Sequence, residues 1–221
     1  MRRIYPISLA LVLALAIFMA LLFAHQIAHL GQHNNLYLNI SANYISSVLP
    51  SENISIISNK SVVFSGTAER EGYIATADEA FSGKVKDSNA SIIIFIIMQD
   101  NNDTVSNSTL YNELTLASSN VSHAGSYFKL LKITNYSIGS LNINIPIYTI
   151  FDRGVFNTSK VENSQNAGIP LLPYYQYISM FTYKNYYGSV VVDAYTNASL
   201  YSNASIVLAK YMLNYTATKF G

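Results

Sequence analysis

The chain has 221 residues, a formal net charge of +1, 11% charged residues and no cysteine. With so few charges and no basic stripe to neutralise phosphates, nucleic acid is excluded as a partner. The lack of cysteine excludes disulfide staples, thiolate nucleophiles and thiolate metal ligands, so stability must come from packing.

Ile7 to Ala24 is an unbroken run in which Ser8 is the only non-apolar residue. As a helix it is about 27 Å long, close to the roughly 30 Å of a bilayer's hydrocarbon core. Arg2 and Arg3 stand before it and Lys60 is the first Lys or Arg after it, which predicts a cytoplasmic N-terminus and an extracytoplasmic remainder, held by a single membrane span. The run is longer than the apolar part of a cleavable signal, and no A-x-A pair of small residues comes after it. The expectation is therefore residues 1–24 as cytoplasmic stub and signal anchor. A secreted or filament-forming subunit with a cleaved leader is the lesser alternative.

Residues 25–35 read as a juxtamembrane linker. His25, His29 and His33 fall at i, i+4 and i+8, one face of a helix and the spacing that presents imidazoles to a metal. Gly31 interrupts that helix, and Glu52 is the first acidic residue beyond it. These three histidines are the metal candidates, and a polar collar at the membrane surface is the simpler account. No cofactor is expected.

Residues 36–221 have the length of one domain. Leu36 to Leu49 predicts a short amphipathic helix ended by Pro50. Ser61 to Thr67 and Gly72 to Ala77 predict a hairpin, and Ala90 to Met98 a strand buried on both faces. Ser108 to Ser119 predicts a helix, and Tyr127 to Thr134 with Leu141 to Phe151 a strand pair, in which Pro146 signals an edge or a bulge. Asp152 to Pro173 is the longest aperiodic segment, a length that often carries function, and is the first choice for a binding surface. Tyr174 to Tyr183 and Ser189 to Thr196 form a second hairpin. Ser202 to Lys219 closes the chain as a helix with Ser202 as N-cap.

N-x-S/T triplets begin at Asn39, Asn53, Asn59, Asn89, Asn102, Asn107, Asn120, Asn135, Asn157, Asn197, Asn203 and Asn214, twelve of the 22 asparagines. Random placement of Ser and Thr would give roughly four, so the excess predicts an N-glycosylated outer-surface domain. The style, rich in Ile, Tyr and Asn and free of cysteine, resembles archaeal cell-surface glycoproteins.

Of the 18 tyrosines, Tyr174, Tyr175, Tyr177, Tyr183, Tyr186 and Tyr187 crowd into one hairpin. Tyrosine joins a flat apolar ring to a hydroxyl, so this cluster is a candidate surface for a protein partner or glycan; bulky strand filler is the competing account. No catalytic constellation is found. His123 has no nucleophile elbow near it, and nothing in the spacing of Asp78, Glu79, Glu113, Asp152 and Asp193 selects a pair for acid–base work. The expectation is a non-catalytic interaction or structural module at the cell membrane, with an extracytoplasmic small-ligand or glycan receptor as the alternative.

The element order predicts an N-terminal transmembrane helix followed by one α+β domain, an antiparallel sheet covered by helices. From about Ala90 the segments SIIIFIIM, TLYNELTLAS, NINIPIYTIF, SVVVDAYT and SIVLAKYMLNYT resemble, in order and apolar spacing, the PsbP/Mog1-type αβα sandwich. That resemblance implies the layering and assigns no functional residue.

Overall fold

A computed structural model of the chain describes residues 36–86, 91–118, 127–138, 143–156, 172–194 and 198–220, with the backbone alone at 127, 154–156 and 172–174. The Ile7 to Ala24 run and His25, His29 and His33 lie outside these residues, as does His123. Among the described residues no helix is long and apolar enough to cross a membrane.

Residues Leu36–Gly221 form one compact unit. Its strands are β1 Ser51–Val63, β2 Tyr73–Val85, β3 Ser91–Asn101, β4 Tyr127–Ile138, β5 Ile143–Phe156, β6 Leu172–Tyr183 and β7 Tyr186–Ala194. They pair antiparallel throughout in a seven-stranded sheet of order β1-β2-β3-β7-β6-β5-β4. The helices are α1 Ala42–Val48, the single turn α2 Thr67–Arg70, α3 Asp103–Ser118 and α4 Ser199–Phe220.

The expected α+β class is thereby corrected to a mostly-β domain in which one continuous sheet dominates and the helices are accessory. The strands are longer than their apolar cores. Ser51 to Lys60 is mostly polar and carries no strand pattern, yet it pairs with Asp78 to Val85, with irregularities between Glu52 and Ser55 and between Ile56 and Ser58. A neighbouring strand supplies hydrogen-bond partners whatever the side chains are, and an edge strand need bury little.

Local boundaries shift for similar reasons. Leu36, Leu38 and Ile40 are buried while Tyr37 and Asn39 between them are exposed, the two-residue period of extended chain, so helix α1 begins only after Ser41, whose hydroxyl accepts from the Tyr44 N–H at 3.2 Å. α3 starts five residues earlier than expected, with Asn102 Oδ1 accepting from the Val105 N–H at 2.8 Å. α4 starts at Ser199, which places Ser202 inside it and not at the cap.

α4 and α1 pack on one face of the sheet. Every third or fourth residue of α4 is buried there, among them Tyr201, Leu208, Met212 and Ala217, against Ile94, Ile96, Val190 and Val192. α3 lies on the opposite face, where Leu110 and Ala117 meet Ile150, Met180 and Tyr187. β3 is therefore sealed on one side only: Ile92, Ile94, Ile96 and Met98 are fully buried, whereas Phe95 is 38% exposed. Pro146 sits in a strand flanked on both sides, at a point where β5 pairs with β4 (Asn135) while its pairing to β6 starts at Tyr148. The missing N–H thus costs no ladder bond to β6.

Candidate functional site

The β6–β7 hairpin turns through Lys184 and Asn185, with Lys184 at a φ of 52°. Alternation then sends Tyr175, Tyr177, Tyr183 and Tyr186 to the α4 face and Tyr187 to the α3 face. Tyr177, Tyr183, Tyr186 and Tyr187 are all at most 7% exposed and Tyr175 is half-buried; of Tyr174 only the backbone is described. Burial foremost pushes the phenols of Tyr186 and Tyr187 up to about 12, and the Tyr187 hydroxyl donates to Met180 Sδ at 3.1 Å. Four of the six hairpin tyrosines are thus core residues, which leaves the end of β6 away from the turn.

There the cross-strand register does what spacing along the chain does not reveal. Lys129 of β4 stands opposite Phe151 of β5, and Phe151 opposite Tyr177 of β6, so three side chains share one row on the α4 face. A register shift between Leu130 and Lys132 brings in Leu131. With Ser199 and Ser202 from the first turn of α4, these residues line a groove of about 320 Å³. Its floor is aromatic: the Phe151 and Tyr177 rings are 5.2 Å apart, Tyr177 and Tyr201 6.1 Å, and Phe151 stacks on Tyr175 at 6.3 Å. The Arg153 guanidinium lies 5.8 Å above the Tyr175 ring.

A ring floor and a hydroxyl rim, with Lys129 in the lining, can take a ligand with one flat apolar face and a hydroxyl or anionic group, such as a sugar. The described lining holds no carboxylate. β5 and β6 pair from here up to Phe156 and Leu172; the rest of the expected binding segment, residues 157–171, lies outside the described residues.

On the opposite face, β5, β6 and β7 align Asp152, Gln176 and Asp193 in one row. Burial raises the Asp193 carboxyl to about 6, against a stabilising hydrogen bond from Gln176, with the charge of Asp152 adding to the rise. Sequence spacing selected no carboxylate pair, and the sheet places these two on either side of a glutamine. Asp78 and Glu79 point to opposite faces of β2, and Glu113 lies on α3 near Tyr187. Among the described residues no group of three His, Asp or Glu stands ready to hold a metal.

The sequon asparagines behave uniformly. Asn39, Asn53, Asn59, Asn102, Asn107, Asn135, Asn203 and Asn214 are all exposed, while Asn89, Asn120, Asn157 and Asn197 lie outside the described residues. Asn101, which starts no triplet, is wholly buried.

No protein-family model matches the chain, and no curated protein matches its sequence. Among solved structures, it is similar to the extracellular domain of PknH from Mycobacterium tuberculosis, at 9% identity over 78% of this chain and 91% of that one, with a TM-score of 0.45.

Proposed function

We propose that residues 36–221 act outside the cytoplasm, at the cell membrane, as an N-glycosylated module that binds a protein partner and performs no chemistry of its own. The observation that carries this reading is the exposure of all eight described sequon asparagines, in a chain with three times as many triplets as chance would give. The arginines before the apolar N-terminal run and the lack of Lys or Arg for the next 35 residues support export of the domain beyond it. The deciding experiment is peptide-level mass spectrometry of the chain from a glycosylating cell, with protease protection of intact cells as the companion measurement. Glycan mass on several of these asparagines and surface cleavage are expected; unmodified peptides throughout, or full protection from external protease, overturn the reading.

The groove of Lys129, Phe151 and Tyr177 favours one second reading, a receptor for soluble sugars. Titration calorimetry with a glucuronate-containing oligosaccharide tests it. Saturable heat that disappears in F151A supports the receptor, whereas no heat with retained co-purifying proteins supports the partner module.

A further inference from the structure

Among the described residues β1 and β4 each pair on one side only, and both are long, 13 and 12 residues. Each also exposes apolar side chains: Ile56 and Ile57 at 55% and 57%, with Val62, on β1, and Leu130, Leu131 and Ile133 on β4. A long edge with exposed apolar residues is a template for pairing with another chain. Register shifts at Glu52/Ser55 and Ile56/Ser58 on β1 and at Leu130/Lys132 on β4 interrupt these ladders only in part.

Sequons fall on these same two strands. Asn53 and Asn59 lie on β1 and Asn135 on β4, whereas the described residues of the five inner strands begin no triplet. Asn53 sits inside the first β1 irregularity at a φ of 55°. Ile56 and Ile57 lie between Asn53 and Asn59, and Ile133 shares its face with Asn135 two residues on. On a regular strand, positions i and i+2 share a face, which presents Asn135 and Ser137 together, both exposed; Ser55 is exposed two residues past Asn53, across the irregularity, and Ser61, two past Asn59, is half-buried. On α4 the same spacing turns the hydroxyl about 200° away. There Asn203 and Asn214 are exposed, but Ser205 and Thr216 are fully buried and bonded within the core.

We propose that N-glycans on Asn53, Asn59 and Asn135 cover the two edge strands and keep the sheet from pairing with a second copy of itself. The proposal rests on the domain being glycosylated and gives the edge glycans a task. Each modification joins asparagine Nδ2 to the anomeric carbon of an oligosaccharide carried on a polyisoprenyl phosphate. The Nδ2–C1 bond forms, the C1–O bond to phosphate breaks, and the lipid phosphate leaves with the carboxamide proton. An attached oligosaccharide sweeps far more than the ~4.8 Å that an incoming strand needs beside β1 or β4.

The test compares the full chain, made in a glycosylating cell and extracted in mild detergent, with N53Q/N59Q/N135Q and with N203Q/N214Q. Peptide mass spectrometry reads occupancy, ultracentrifugation reads particle mass, and circular dichroism checks folding. The edge variant is expected to keep its fold and at least double its particle mass, with slower amide exchange along β1 and β4, while the α4 variant matches the parent. Adding I57K and I133K to the edge variant is expected to restore the parent mass, separating strand pairing from misfolding. An edge variant with the parent's mass, when the parent's three peptides carry glycan, overturns the shielding role. Unmodified parent peptides at the three positions overturn it at its premise, together with the reading it rests on if the other sequons are also bare.

Discussion

The Ser205 hydroxyl on α4 stands 2.8 Å from the Ser179 hydroxyl on β6, and both side chains are completely buried. Ser205 donates to the Ser202 carbonyl at 2.9 Å, so its single proton is committed and Ser179 must donate to Ser205. Thr149 of β5, 3.0 Å from Ser179 and equally buried, must then donate to Ser179. A directed chain of three hydroxyls runs from the second strand of the sheet's edge pair into the closing helix. Ser179→Ala leaves the Thr149 proton without its acceptor in the core, and a loss of about 1–3 kcal/mol in a urea titration is expected. S179A is cleaner than S205A because the latter also removes the Asn203 sequon. An unchanged midpoint would mean that the chain contributes nothing.

Phe181 and Gly188 face each other across β6 and β7. A Cβ on Gly188 would stand 2.4 Å from Phe181 Cζ, and Phe181 is fully buried, so the ring fills the place of the missing side chain. Gly188→Ala is expected to cost about 1–3 kcal/mol through overpacking. Thermal unfolding checks it, and F181L in the same chain should recover much of the loss if the clash is the cause.

Asp193 brings a pH dependence of definite sign. Its carboxyl titrates near 6 in the fold, above the ordinary 3.8, because burial disfavours the charged form. The folded state therefore holds this proton more tightly than the unfolded chain. The stabilisation is fully present below about pH 3.8 and is lost as pH rises through about 6. D193N is expected to raise the melting temperature at pH 7.5 and to flatten its fall between pH 4 and 6; an equal slope in parent and variant refutes the assignment.

Glu79 anchors the segment that precedes α1. It is 2% exposed, and its Oε2 accepts from the Ile40 N–H at 3.0 Å. Burial raises its pKa, the backbone N–H bonds of Ile40 and Asn39 opposing. Glu79→Ala leaves a buried N–H unpaired, with an expected loss of about 1–3 kcal/mol and faster amide exchange over residues 36–41. Glu79→Gln keeps an acceptor and should exchange like the parent.

Several elements were legible in the residues. The β6–β7 hairpin and the closing helix follow from periodicity, because the side chains that face the core repeat with the element's own geometry. The apolar run of β3 marked a strand, but its expected burial on both faces was wrong: Phe95 is 38% exposed, because the run does not record which of its faces a helix covers. The polar half of β1 was not legible, since an edge strand is held by its neighbour's backbone and its side chains carry no pattern. The groove was not either: Lys129, Phe151 and Tyr177 lie far apart in the chain and meet only through the pairing of β4, β5 and β6.

The sequence by itself determined the chemistry that is present: few charges, no thiols, an apolar N-terminal run, an excess of sequons and the apolar cores of the strands. Only the tertiary structure decided what these are next to. Strand order made β1 and β4 the edges, turned most of the tyrosine hairpin inward, and set Thr149, Ser179 and Ser205 in one chain of bonds. The reason is physical: periodicity records which face of an element is buried, whereas the choice of partner strand and its register depends on contacts between residues distant in the chain, and no local pattern records that.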